Sequence, residues 1–280
     1  MQSGKRSRAG VILLGIGAVC LLLRIVTKGP GWTLGAVVFL LIGALVNKNG
    51  KKRNAKLREP LVQEAVAAVF PAASYAAESG IGYEEARNAA IAVAGGYDAV
   101  TSGDGVRGTY RGVPFTLATV RLGRRERERD EQTGLDYERE LPVFCGSWLM
   151  LRTEPLPGTV RLSTRTSLDR VIRTGRKTGN EEFDKMFVTA CESEETMRRV
   201  LTEAMCQRLL AAQKCLGACY VTMLSEGVVH VASDTGHGLF DTAGDDPVQL
   251  RESYTETLMR ARHVMDALQL AGRQEGGSEA

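Results

Sequence analysis

The chain has 280 residues, 44% hydrophobic and 25% charged, with a formal net charge of +3, a composition that suits one or two ordinary domains. The average conceals a division: residues 1–58 carry eleven Lys or Arg and no acid, leaving 25 bases against 33 acids in the remaining 222 residues, a net of −8. An acidic body lacks the clustered basic face that phosphate neutralisation requires, so no nucleic acid is expected as a partner.

Residues 1–9 form a basic N-terminus, and 10–27 and 31–47 are two apolar runs of nearly uncharged side chains. At ~1.5 Å per helical residue each spans roughly 24–27 Å, close to a ~30 Å hydrocarbon core. The breaker Lys28-Gly29-Pro30-Gly31 between them has room only for a turn, so a transmembrane helical hairpin is expected over 10–47. Lys5, Arg6 and Arg8 before it and Lys48, Lys51, Lys52, Arg53, Lys56 and Arg58 after it put both ends on the cytoplasmic side. Arg24 and Trp32 lie near the turn and are expected as interfacial anchors, and Gly31 and Gly35 offer a small face for close helix packing. The linker 48–58 places Lys51, Lys52, Arg53, Lys56 and Arg58 against anionic headgroups, so the lipid bilayer is the first expected partner.

A cytoplasmic domain is expected over 59–271. Glu59-Pro60 opens a helix with Leu61, Ala65, Val66, Val69 and Phe70 apolar, closed by Pro71, and a second helix is expected from about Tyr83 to Ala94, stopped by Gly95-Gly96. Short apolar runs separated by glycine follow in 97–122, 141–152 and 159–165, the pattern of an antiparallel meander. Between them, 124–140 holds five bases and seven acids and is expected as a solvated loop. A strand at about Met186–Cys191 precedes a helix capped by Ser193, with Met197, Val200, Leu201, Ala204 and Leu209 buried, running unbroken to Gly217. Residues 219–233 form a strand pair folded at Ser225-Glu226-Gly227, and a last helix runs from Pro247 to about Ala271, with Leu250, Tyr254, Leu258, Ala261, Met265 and Leu268 on one side. The tail 272–280 has nothing to bury and is expected disordered. The fold class is α+β, helices covering one face of an antiparallel sheet.

Phe144-Cys145-Gly146, the strand ending at Ser163, Gly179-Asn180-Glu181-Glu182-Phe183-Asp184-Lys185-Met186-Phe187-Val188, the helix 197–205 and Gly238-Leu239-Phe240-Asp241 together resemble the bacterial family called domain of unknown function 3137. The resemblance covers roughly 60–265 and departs at Glu203, where the family pattern would have proline. It implies a bacterial cytoplasmic (inner) membrane protein with membrane helices ahead of the domain, and it carries over no catalytic residue.

Candidate chemistry is sparse. Gly103-Asp104-Gly105-Val106-Arg107-Gly108 matches GxGxxG, but the residues after it have a strand pattern rather than the phosphate-binding helix, so a turn between strands is expected. His230, Asp234 and His237 could group loosely at a strand end, and Cys215 and Cys219 are four apart, not the spacing of zinc or redox pairs. All six cysteines, Cys20, Cys145, Cys191, Cys206, Cys215 and Cys219, are expected as reduced thiols and small core residues. No cofactor and no metal site is expected. The leading expectation is a membrane-tethered binding or scaffold module without catalysis, acting through a protein partner or self-association. The alternatives are a membrane-surface enzyme built on His230, Asp234 and His237, and an oligomeric transport or channel component, to which Arg24 would lend an intramembrane charge.

Overall fold

The structure, a computed structural model, describes residues 58–91, 93, 96–129, 136–166, 175–242 and 246–270. The expected hairpin at 10–47, the linker up to 57 and the tail 272–280 lie outside the described residues. Among the described residues no helix is long and apolar enough to cross a membrane. Two compact units divide them: 58–64 with Thr242–Ser253, and 65–241 with 254–270. The first holds an Arg251–Glu64 ion pair at 3.7 Å and a Thr242–Ser253 hydroxyl hydrogen bond at 3.0 Å.

In chain order the elements are helix α1 (58–69), β1 (Ala73–Ala76), α2 (Tyr83–Ala89), β2 (Ala99–Tyr110), β3 (Val113–Arg129), β4 (Asp136–Arg152) and β5 (Val160–Thr164). After these come α3 (Glu181–Met186), β6 (Phe187–Cys191), α4 (Glu194–Val200), α5 (Glu203–Leu216), β7 (Tyr220–Leu224), β8 (Val228–Asp234) and α6 (Pro247–Leu268). All eight strands join one sheet in the order β1-β2-β3-β4-β8-β7-β5-β6, every pair antiparallel. The α+β class is therefore as expected, with two amendments. The sheet is a meander only through β4, because the β7–β8 hairpin stands between β4 and β5. Helical cover also lies on both faces rather than one.

The second amendment follows from side-chain parity. Successive strand residues point to opposite faces, and the register puts Leu117, Leu149 and Val231 side by side on one face and Ala118, Trp148 and Ala232 on the other. The Trp148 face packs on Ile81, Ala86, Ala89, Ile91 and Val93, from α2 and its flanks. The Leu149 face meets Ala261 and Val264 of α6, and further along it the Phe70 ring sits 4.8 Å from Phe115. Central strands apolar on both sides cannot leave either face to water. Residues Val229–Ser233 of β8 are accordingly buried without interruption.

Local chemistry sets the ends. Arg111 and Gly112, both at positive φ (49° and 79°), make the two-residue turn between β2 and β3, a type I′ geometry that fits strand twist and favours glycine at its second position. Helix α2 stops at Ala90 (φ 46°), well before the expected Gly95. The helix expected to run unbroken from Ser193 to Gly217 is two helices: Leu201 leaves helical geometry with its side chain buried, and the Thr202 hydroxyl accepts from the Met205 N–H at 3.3 Å, starting α5 afresh.

Candidate functional site

The three residues of the suggested site do not converge. Strand positions four apart lie about 13 Å apart, which separates His230 from Asp234. His230 is 1% exposed, and its Nδ1 accepts from Trp148 Nε1 at 3.1 Å. That fixes the neutral ring with its hydrogen on Nε2. Burial pushes its pKa down to about 4, with Arg152 adding to the effect. Asp234 is exposed and closes the strand end, its carboxylate accepting from the Cys145 and Gly236 N–H groups at 3.3 and 3.2 Å. His237 is exposed beyond it, its Nδ1 3.1 Å from the Gly238 carbonyl. Among the described residues no three His, Cys, Asp or Glu side chains are grouped to hold a metal ion. Cys219 is buried, but Cys215 is exposed at the end of α5 rather than packed.

The GxGxxG segment is not a turn but part of β2, carrying a bulge. The pairing passes from Gly103–Thr119 to Val106–Leu117, leaving one extra residue, and Asp104 takes a positive φ of 54°. The bulge turns the Asp104 carboxylate to accept from Tyr75 Oη at 2.9 Å and Thr119 Oγ1 at 3.1 Å, while Thr119 accepts from the Leu239 N–H at 2.9 Å. The motif's role here is to tie β1, β3 and the 238–240 loop together.

Of the expected loop 124–140, residues 130–135 lie outside the described residues, and the rest departs furthest from expectation. Over 124–129 and 136–140, β3 and β4 continue as a two-stranded arm after their other neighbours have ended. β2 pairs with β3 only as far as Gly123, and β8 with β4 only from Gly146 onward. Beyond these points Arg125 faces Glu140, Glu126 faces Arg139, Arg127 faces Glu138 and Arg129 faces Asp136. Opposite charges meet at each of these pairs, so the run of charges that resembles a solvated loop is a ladder once its register is known. Arg127 Nε lies 3.6 Å from Glu138, Arg139 Nη1 3.5 Å from Glu128, and the Tyr137 hydroxyl donates to Glu128 at 2.6 Å. That last bond holds the phenol pKa above its usual value. Residues 124–129 at ~3.3 Å each make the arm about 20 Å long. At its root the pairing jumps from Leu122–Phe144 to Gly123–Pro142, which leaves Val143 as an extra residue. A Cβ at Gly123 would fall 2.3 Å from the Glu140 carboxylate, so glycine is what lets Glu140 lie across the strand.

Of the expected membrane-facing residues, Arg24, Trp32, Lys51, Lys52, Arg53 and Lys56 lie outside the described residues, and Arg58 is half-buried in α1. No family model matches the chain, and no curated protein matches it. The chain is similar to the crystal structure of the mycobacterial trehalose monomycolate transport factor A, TtfA, with a TM-score of 0.35 and 14% identity over 77% of this chain and 100% of that one. A likeness of that size carries no argument.

Proposed function

We propose that this chain is a membrane-tethered binding module without catalysis. In this reading the hairpin at 10–47 anchors it in the bacterial inner membrane with both termini cytoplasmic, and the β3–β4 arm reaches a protein partner. Kinship with the domain of unknown function 3137 family belongs to the same reading.

The observation that supports it is the arm. Among the described residues no further strand pairs with it over Glu126–Glu128 or Asp136–Leu141, and Tyr137 stands 47% exposed on it. A strand edge without a neighbouring strand accepts an added one. A second copy is a poor candidate for that strand. Antiparallel pairing about a two-fold axis sets residues of equal parity opposite one another, and in β3 a register centred on Arg127 opposes Arg125 to Arg129 and Glu126 to Glu128. In β4 it opposes Asp136, Glu138 and Glu140 to one another. Like charges directly opposite destabilise a pair. The strand that fits the β4 edge carries Lys or Arg at every second position and belongs to a different protein.

The test is a photo-crosslinking residue in place of Tyr137, in the full chain within native membranes. A discrete protein adduct that disappears when Asp136, Glu138 and Glu140 are replaced by Lys supports the arm as the binding element. Adducts to lipid or to the chain itself, unchanged by those replacements, would overturn it.

A further inference from the structure

We propose a second site, separate from the arm: the cleft between the Leu149 face of the sheet and α6 binds an alkyl chain that ends in a single anion. The cleft encloses about 100 Å³ and is partly open to solvent, so an occupant is held in part by the walls and stays in part exposed. Its lining is graded. Leu117, Leu149 and Val231, in register on three neighbouring strands, form an apolar floor walled by Ala261 and Val264 of α6. One step along the same strands the floor turns to hydroxyls, because Ser147 pairs with Ser233. The buried Ser233 hydroxyl is already committed to the Leu216 and Ala218 carbonyls at 3.3 and 3.1 Å. His237 and Arg260 also line the cleft.

An apolar floor, a hydroxyl step and an arginine in one cleft match a molecule with an apolar body and a compact anionic head. Among the described residues no carboxylate lines the cleft. The guanidinium of Arg260 is held 2.7 Å from Glu256 in an exposed pair. A pair of that kind contributes little, so the arginine can turn to an arriving anion without large cost. A free alkyl carboxylate and an anionic lipid share this chemistry, and the test separates them.

Cys215 lines the same cleft with an exposed thiol, whereas Cys191 is half-buried on β6, away from it. Maleimide labelling of the full chain in membranes, read at each cysteine by mass spectrometry, therefore has a reporter and an internal control in one molecule. Sodium decanoate, decanol and added phosphatidylglycerol vesicles are the three probes. Decanoate or phosphatidylglycerol is expected to slow Cys215 labelling at least fivefold, Cys191 labelling staying constant. Decanol is expected to do much less, and Arg260→Gln to erase the advantage of the anion. Ala261→Phe fills the cleft and abolishes protection by every probe, its fold being checked by Cys206 and Cys219, which are buried and stay unlabelled. Protection by decanoate alone supports a free acid as ligand, and protection by the vesicles alone supports a membrane lipid. Protection by neither, equal protection by decanol and decanoate, or equal slowing at Cys191 overturns the proposal.

Discussion

Strands β3 and β4 run through two regions that share a ladder and differ in what holds it. In the sheet, Phe115–Leu122 against Phe144–Leu151 has side chains such as Leu117, Ala118, Val120 and Trp148 at 2% exposure or less. In the arm, Arg124–Arg129 against Asp136–Leu141 has side chains mostly in water, and charge complementarity replaces burial. Antiparallel pairing tolerates either source of stability, but the magnitudes differ several-fold, because a buried aromatic contributes a few kcal/mol and an exposed cross-strand ion pair a fraction of one. The body is thus built to keep one conformation, and the arm to be remodelled at small cost.

Trp148→Ala should break the body most. Truncating a large, fully buried side chain costs about 3–5 kcal/mol, visible as a lowered denaturation midpoint, while Arg127→Ala in the arm leaves that midpoint within about 0.5 kcal/mol. Acid separates the regions next. His230 takes its proton near pH 6.5 in the unfolded chain but only at about 4 in the folded one. Its contribution is complete above pH 6.5, is lost as pH falls towards 4, and changes no further below that. The total is about 3 kcal/mol, so subtracting the stability profile of His230→Gln should expose a slope confined to that window. A difference profile flat from pH 7 to 4 would contradict the burial of the imidazole.

Trp148→Phe sharpens the point by keeping most of the ring and removing only its N–H. The His230 nitrogen then has no donor, at a cost of roughly 1–3 kcal/mol, again measured by denaturant. The smallest effect belongs to the arm. Arg127→Glu and Glu138→Arg should each speed amide exchange in 124–129 and 136–141, and the double exchange should restore it, with a coupling of about 0.2–1 kcal/mol that shrinks at 1 M salt. Coupling that survives high salt would mean the arm is held by something other than its charges.

Much of the body was legible because its signals are local. Val113–Leu122 alternates and ends in apolar residues, Ser225-Glu226-Gly227 punctuates a hairpin, and Tyr254, Leu258, Ala261 and Met265 keep helical spacing. Strand β1 escaped notice because Ala73–Ala76 is four residues long and only half-buried. The arm was hidden for a different reason: Arg127 and Glu138 declare themselves a pair only when the register between distant strands is fixed, and composition alone makes them resemble a solvated loop. Near Leu201 the marks of a break are few: Thr202 is a good cap, and position 203, where the resembled family pattern has proline, is the first of α5. The cleft could not be read at all, since Leu117, Leu149, Val231 and Ala261 meet only through the sheet order. His230 is visible in the sequence but its setting is not, because the bond to Trp148 depends on the register of two distant strands.

The insertion of β7–β8 between β4 and β5 has a consequence in time. The edge of β4 over Gly146–Arg152 waits for a partner, Val228–Asp234, that leaves the ribosome about eighty residues later. At ~5–20 residues per second this is on the order of ten seconds during which an apolar strand edge stands open beside the growing chain. The hairpin that closes it is the last of the sheet to be made. Until Asp234 emerges that edge is open to wrong pairing, and whatever shields it matters for that interval and no longer.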